Sequence, residues 1–203
     1  MSLNLIIIIA TVIISIVAFG NTELFGRMTF NAYLIKNNRQ TWRFVSYALI
    51  HAGWFHLIIN MWVLYIFGRL VEADYVSVFR ARGYLFYFLL YLGGVIFSVL
   101  YDFGKHKNDM YYNSVGASGA VSAVLFASIL FHPTGGIYIF PIPFAIPAWL
   151  FGILYLVYSA YMGKRGQDNV GHDAHFFGAL FGIVFTAIIV PGILTRFIEQ
   201  LFG

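Results

Sequence analysis

Cysteine is absent from this 203-residue chain, which rules out disulfides, cysteine nucleophiles and thiolate metal sites and leaves its redox compartment unreadable. Charge is scarce as well: 10% of residues are Asp, Glu, Lys or Arg, against 61% hydrophobic ones. The surface of a soluble domain of this size could not be built from that balance, so the natural solvent is a lipid bilayer. Lysines and arginines never run longer than two, and the net charge of +4 is spread along the chain. This argues against nucleic acid as a partner and against a polybasic lipid clamp. No polar stretch is long enough to fold separately in water, and no internal repeat appears. One membrane domain over residues 1–203 is the expectation, and an inverted-repeat transporter is disfavoured.

Six nearly uncharged stretches approach the ~17 to 25 residues that a spanning helix needs. They run about 3–19, 54–71, 84–101, 115–131, 146–162 and 174–190. The predicted fold class is therefore all-α, a six-transmembrane-helix bundle. The first stretch has no Lys or Arg before it and exceeds a signal-peptide core of ~7 to 15 residues, so it reads as a retained helix. Gly20 to Gly53 is the longest connection, and it is apolar enough to lie partly among headgroups.

If the six spans alternate in direction, the second, fourth and sixth all start at one membrane face. His56 and Asn60 lie in the first turns of the second, Ser118 opens the fourth and His175 opens the sixth. Polar side chains at such depth are costly, and by default they mark a water-filled or functional site. His56 and Asn60, four apart, share one helical face. Ala174, Gly178 and Gly182 form a small-residue ladder, as do Gly119, Ala123 and Ala127, which lets the fourth and sixth helices approach closely. Gly116 and Gly119 flank Ala117-Ser118, removing bulk around the hydroxyl at a loop-to-helix junction where free amides can receive an anion. Each residue alone has a plain packing explanation, but their concentration at one face does not.

Taken together, Trp42-Arg43, His51-Ala52-Gly53-Trp54-Phe55-His56, Asn60, Gly68, Glu72, Gly116-Ala117-Ser118-Gly119 and Ala174-His175-Phe176-Phe177-Gly178 resemble the rhomboid family of intramembrane serine proteases. The resemblance implies a six-helix fold and a protease with Ser118 as nucleophile, His175 as its partner, and His56 and Asn60 assisting at the oxyanion. It also implies the backbone around Gly116, Ala117 and Gly119 as the oxyanion motif, transmembrane protein segments as substrates, and no cofactor or metal. One position departs from the family pattern. A tyrosine is frequent there one turn after the serine, whereas this chain has Ser122, so what orients His175 is left open. Trp42-Arg43 and Glu72 read as structural anchors.

The expected location is a multi-pass position in a membrane, taken as a prokaryotic cell membrane with the active site opening outward. Charge does not set that orientation. The loops on the active-site side hold Arg27, Lys36, Arg39, Arg43, Lys105, Lys107, Lys164 and Arg165, against Arg69, Arg80, Arg82 and Arg196 on the other. Two other classes stay open: a metal- or haem-binding membrane protein using His51, His56, His172 and His175, and a silent relative that only binds membrane partners. The first leaves the Gly116 to Gly119 segment unexplained. Oligomeric state is not readable.

Overall fold

A run of apolar residues can satisfy its backbone in lipid only as helix, and the chain does so nearly throughout. The computed structural model describes residues 2–139, 141–165 and 171–203. Its helices are α1 (Leu3–Phe19), α2 (Thr22–Met28), α3 (Ala32–Asn38), α4 (Arg43–Ser46), α5 (Trp54–Phe79), α6 (Arg82–Ser98), α7 (Leu100–His106), α8 (Ser118–Phe131), α9 (Ala148–Arg165), α10 (His172–Ile189) and α11 (Ile193–Phe202). Gly136–Ile137 and Ile146–Pro147 pair as a minimal antiparallel ribbon, β1 and β2, between α8 and α9.

By length and composition, three of the described helices can cross a membrane: α5, the Arg82–His106 stretch that joins α6 to α7, and α10. α1 and α8 are apolar but shorter. Helix length therefore supports three spans directly and leaves the expected count of six undecided. The second expected stretch is longer than foreseen. α5 continues past Glu72 and Asp74 because both carboxylates are used: Glu72 accepts from Ser2 Oγ and from the amides of Leu3 and Asn4, and Asp74 pairs with His132. Glu72 thus caps the start of α1, where an anion meets the positive end of the helix dipole.

At the centre stands α8, buried on every side from Gly119 to Leu130. A helix with no polar face belongs inside a bundle. Its neighbours reveal their directions. α5 runs parallel to it, since His56 packs on Gly116 at one end and Asp74 meets His132 at the other. α10 is parallel too, with Gly178 against Gly119 and Gly182 against Ala123. α6 and α9 are antiparallel: Gly94 faces Ala120 and Ala123 while Ser98 faces Gly119, and Gly152 faces Phe126 and Ile129 while Tyr155 meets Ser122.

The long connection expected between the first two spans is three short helices and a 3₁₀ turn, Tyr47–Leu49. Asn21 and Asn31 cap α2 and α3 by accepting from Leu24 and Leu34 amides. Arg43, buried, stitches this loop by donating to the carbonyls of Gly26 and Thr29 and to Gln40 Oε1. Burial lowers its pKa from the usual arginine value. Asn31 Nδ2 reaches the carbonyls of Met110 and Tyr112, and Phe30 and Ser114 exchange both backbone hydrogen bonds. The loop before Ser118 is therefore pinned to the loop after α1.

Candidate active site

Ser118 is the first residue of α8, with Ala117 as its N-cap and Gly116 before it at φ 111°. That backbone region suits glycine, and a Cβ there would lie 2.5 Å from His56 Cε1. Gly116 thus lets the loop turn into α8 while the imidazole of His56 packs close against it. Its amide is held by the Tyr47 carbonyl at 2.9 Å, and Tyr47 OH is bound to the Val95 carbonyl at 2.6 Å. Being the start of a helix, the segment carries amides with no partner inside the helix.

His51 completes this support. Ser15 Oγ lies 3.0 Å from the Leu49 carbonyl and 3.0 Å from His51 Nδ1. The hydroxyl has one proton, which the carbonyl takes, so Ser15 accepts from Nδ1–H. Nε2 is then left to accept the Ala117 amide at 3.4 Å. A neutral ring fits this arrangement, and burial first, then the nearby His56, lowers the His51 pKa to about 3. His51 is a fully buried link between α1 and the serine loop.

His175 lies in the first turn of α10, its amide bonded to the Gly171 carbonyl. The faces of α8 and α10 meet backbone to backbone. A Cβ on Gly119 would come within 3.2 Å of the Ala174 carbonyl, and one on Gly178 would lie 2.7 Å from the carbonyl carbon of Gly119. The start of α10, with His175 in its first turn, is thereby brought to the serine's end of α8. Ser118 Oγ and His175 are not hydrogen-bonded to each other in this structure. Apo hydrolases often hold that pair loosely. Asn60, one turn deeper on α5 than His56, is buried and donates one Nδ2 proton to the His56 carbonyl at 2.9 Å. Its second amide proton remains for another acceptor.

One residue in the site, Tyr155, carries no signal in the sequence. Tyr155, on α9, stacks on His175 with ring centroids 6.2 Å apart and planes at 29°. Its hydroxyl lies 2.6 Å from Ser122 Oγ, which is 2.8 Å from the Ser118 carbonyl. Nothing along α9 separates Tyr155 from Tyr158 or Tyr161, so only the fold reveals it. On the outer rim Lys105 pairs with Asp173 at 2.9 Å, fixing α7 to the first turn of α10.

The four-histidine metal alternative gains no support. Both ring nitrogens of His51 are occupied by protein groups, and among the described residues no three of His, Cys, Asp and Glu converge as metal ligands.

A family model described as the Rhomboid domain matches residues 38–192. "RHOMBOID-like protein 12, mitochondrial" of Arabidopsis thaliana is 29% identical over 73% of this chain and 46% of its own length. "Rhomboid-like protein 11, chloroplastic" of the same plant is 31% identical over 75% of the chain and 54% of its length. "Putative rhomboid protease YdcA" of Bacillus subtilis (strain 168) is 26% identical over 75% of the chain and 69% of its length. The chain spans about half the length of the plant relatives. With two of the three relatives in plant organelles, these names do not favour a prokaryotic membrane.

Proposed function

Because this chain belongs to the rhomboid family, an integral membrane family, we propose that it is an intramembrane serine endopeptidase that cleaves transmembrane segments of other membrane proteins. The observation that best supports the reading is the backbone contact of Gly119 and Gly178, which brings the starts of α8 and α10 together. We extend the reading to six spans, α1, α5, α6 with α7, α8, α9 and α10, forming one domain. The alternating directions of these helices favour that count over three. Following the resemblance, the N-terminus is cytoplasmic and the site opens to the outer face.

Catalysis proceeds as acyl transfer. His175 takes the proton of Ser118 Oγ as that oxygen attacks the carbonyl carbon of the scissile peptide. The carbonyl electrons move onto oxygen, where the Ser118 amide, His56 and the free amide proton of Asn60 donate to the negative charge. On collapse, the C–N bond breaks and the amine leaves with the proton from His175. Water then attacks the acyl ester, giving a proton to His175, which returns it to Ser118 Oγ as the acid product leaves. A substrate must offer a carbonyl that is not locked in a regular helix, so segments with helix-weakening residues are preferred.

Fluorophosphonate labelling of the detergent-purified chain, read by intact mass and peptide mapping, tests this. An unassisted serine is too weak a nucleophile to react, whereas one assisted by an imidazole reacts. Modification at Ser118 alone is expected, with Ser118→Ala abolishing labelling and cleavage and His175→Ala reducing both severely while staying folded. Labelling at another serine, or cleavage by the Ser118→Ala protein, defeats the reading and favours a silent relative that only binds membrane partners.

A further inference from the structure

We infer that Tyr155 is the positioning residue for His175, and that with Ser122 it takes the place of the tyrosine that the rhomboid family frequently carries one turn after its serine. The inference rests on the protease reading above. Its basis is a chain of contacts between three helices. Ser122 Oγ sits 2.8 Å from the Ser118 carbonyl and 2.6 Å from Tyr155 OH. With a single hydroxyl proton committed to the carbonyl, Ser122 must accept from the phenol. The order is therefore Tyr155 O–H to Ser122 Oγ, and Ser122 O–H to the carbonyl of the nucleophile's own residue.

The ring held by this tether is the one stacked on His175 at 6.2 Å and 29°, an offset aromatic pair. The same ring also packs on Phe126 of α8, centroids 5.6 Å apart, and on Phe151 of its own helix at 5.7 Å. The phenol is consequently fixed at its hydroxyl and along its ring, and the imidazole lies on a surface that cannot swing. A large residue at 122 would collide with Tyr155, because Ser122 is only 3% exposed and already within hydrogen-bond reach of the phenol. The small residue on α8 and the large one on α9 are thus two halves of one device, and the aromatic face reaches His175 from the opposite neighbour.

The test uses the full chain in detergent, with kcat and KM measured on a cleaved transmembrane segment and the rate of fluorophosphonate labelling. Tyr155→Leu is expected to lower kcat and the labelling rate about 10- to 100-fold, the scale of a misplacement near 1 Å, with KM changed less than about twofold. Ser122→Tyr alone is expected to be at least as damaging. The double variant Ser122→Tyr, Tyr155→Leu restores the family arrangement and is expected to recover most of the lost kcat, which loss of general packing on α9 would not allow. Nuclear Overhauser contacts between the Tyr155 and His175 rings in isotopically labelled wild-type protein need no variant to fold. Their absence, or a folded Tyr155→Leu protein with wild-type kcat and labelling, overturns the inference. If the wild-type chain neither labels nor cleaves, the protease reading fails instead, and the ring contacts still decide whether Tyr155 holds His175.

Discussion

Gly178→Ala adds one methyl group at the closest approach of α8 and α10, and its effect can be worked out from distances. The new Cβ would stand 2.7 Å from the Gly119 carbonyl carbon and 3.0 Å from its Cα. Both are backbone atoms that cannot rotate away. Ordinary contact begins near 3.4 Å, and the Gly119 carbonyl oxygen lies closer still to the new Cβ than either carbon, so the helices must separate by more than about 0.7 Å at the level of the site. Alanine gains about 0.8 to 1 kcal/mol of helix propensity over glycine, while overpacking costs about 1 to 3 kcal/mol, so the protein should be modestly destabilised. Activity should suffer more. A 1 Å error in the geometry of a nucleophile and its base costs about 100-fold, so a fall in kcat of about 10-fold or more is expected. Gly152→Ala supplies the control. Its Cβ would meet only the side-chain tips of Ile129 at 3.3 Å and Phe126 at 3.4 Å, which can yield, so Tm should hold or rise and kcat should stay within about twofold. The assay is cleavage of a transmembrane segment in detergent alongside thermal unfolding. A Gly178→Ala protein matching the wild type in kcat and Tm would show that backbone contact does not set the distance between Ser118 and His175.

Replacing His56 or Asn60 by alanine removes one candidate donor to the oxyanion, so kcat should fall by up to about 100- to 1,000-fold with the fold intact. Full turnover in both single variants and the double variant would remove them from the mechanism. His51 makes stability pH-dependent: its folded pKa of about 3 lies below the ordinary 6.5, so the unfolded chain binds the extra proton. The neutral ring's contribution is complete above pH 6.5 and lost as pH falls towards 3, with a slope of at most ~1.4 kcal/mol per pH unit. His51→Ala should flatten the fall of Tm on acidification relative to wild type, and parallel curves would refute the assignment.

Local chemistry made much of this fold readable. α1 matches the expected 3–19 because Ser2 caps its start and Gly20 ends it. α8 starts at Ser118 rather than 115 because Gly116, at positive φ, cannot continue a helix. α5 overran its expected end because charged residues were read as membrane edges, whereas Glu72 is consumed by the start of α1, a partner 68 to 70 positions away. The first loop reads only as a long, partly interfacial connection because helices of seven residues give no apolar period long enough to see. Ser118, His175, His56 and Asn60 stand out as candidates because each lies near the start of an apolar segment in which a polar residue is conspicuous. Tyr155 and His51 do not, since an aromatic among aromatics on α9 and a histidine beside another differ from their neighbours only through tertiary contacts.

The length of α8 bears on how water could reach a peptide bond in a membrane. Its 14 residues extend about 21 Å, against ~30 Å for a bilayer core, so about 9 Å must be made up beyond its ends. Beyond the serine end of α8 lie hydrogen-bonded loops. Arg43 satisfies the carbonyls of Gly26 and Thr29, Asn31 those of Met110 and Tyr112, Tyr47 the amide of Gly116, and His51 that of Ala117. Backbone without regular structure survives at such depth only where its polar groups are met or where it borders water. The loops meet the first condition through these hydrogen bonds, and the start of α8 keeps amides that have no partner inside the helix. Water entering past these loops to Ser118 would meet backbone whose named polar groups are already paired. The short central helix and the hydrogen-bonded loops above it are therefore a single solution, and shortening α8 without those loops would leave unpaired peptide groups in hydrocarbon.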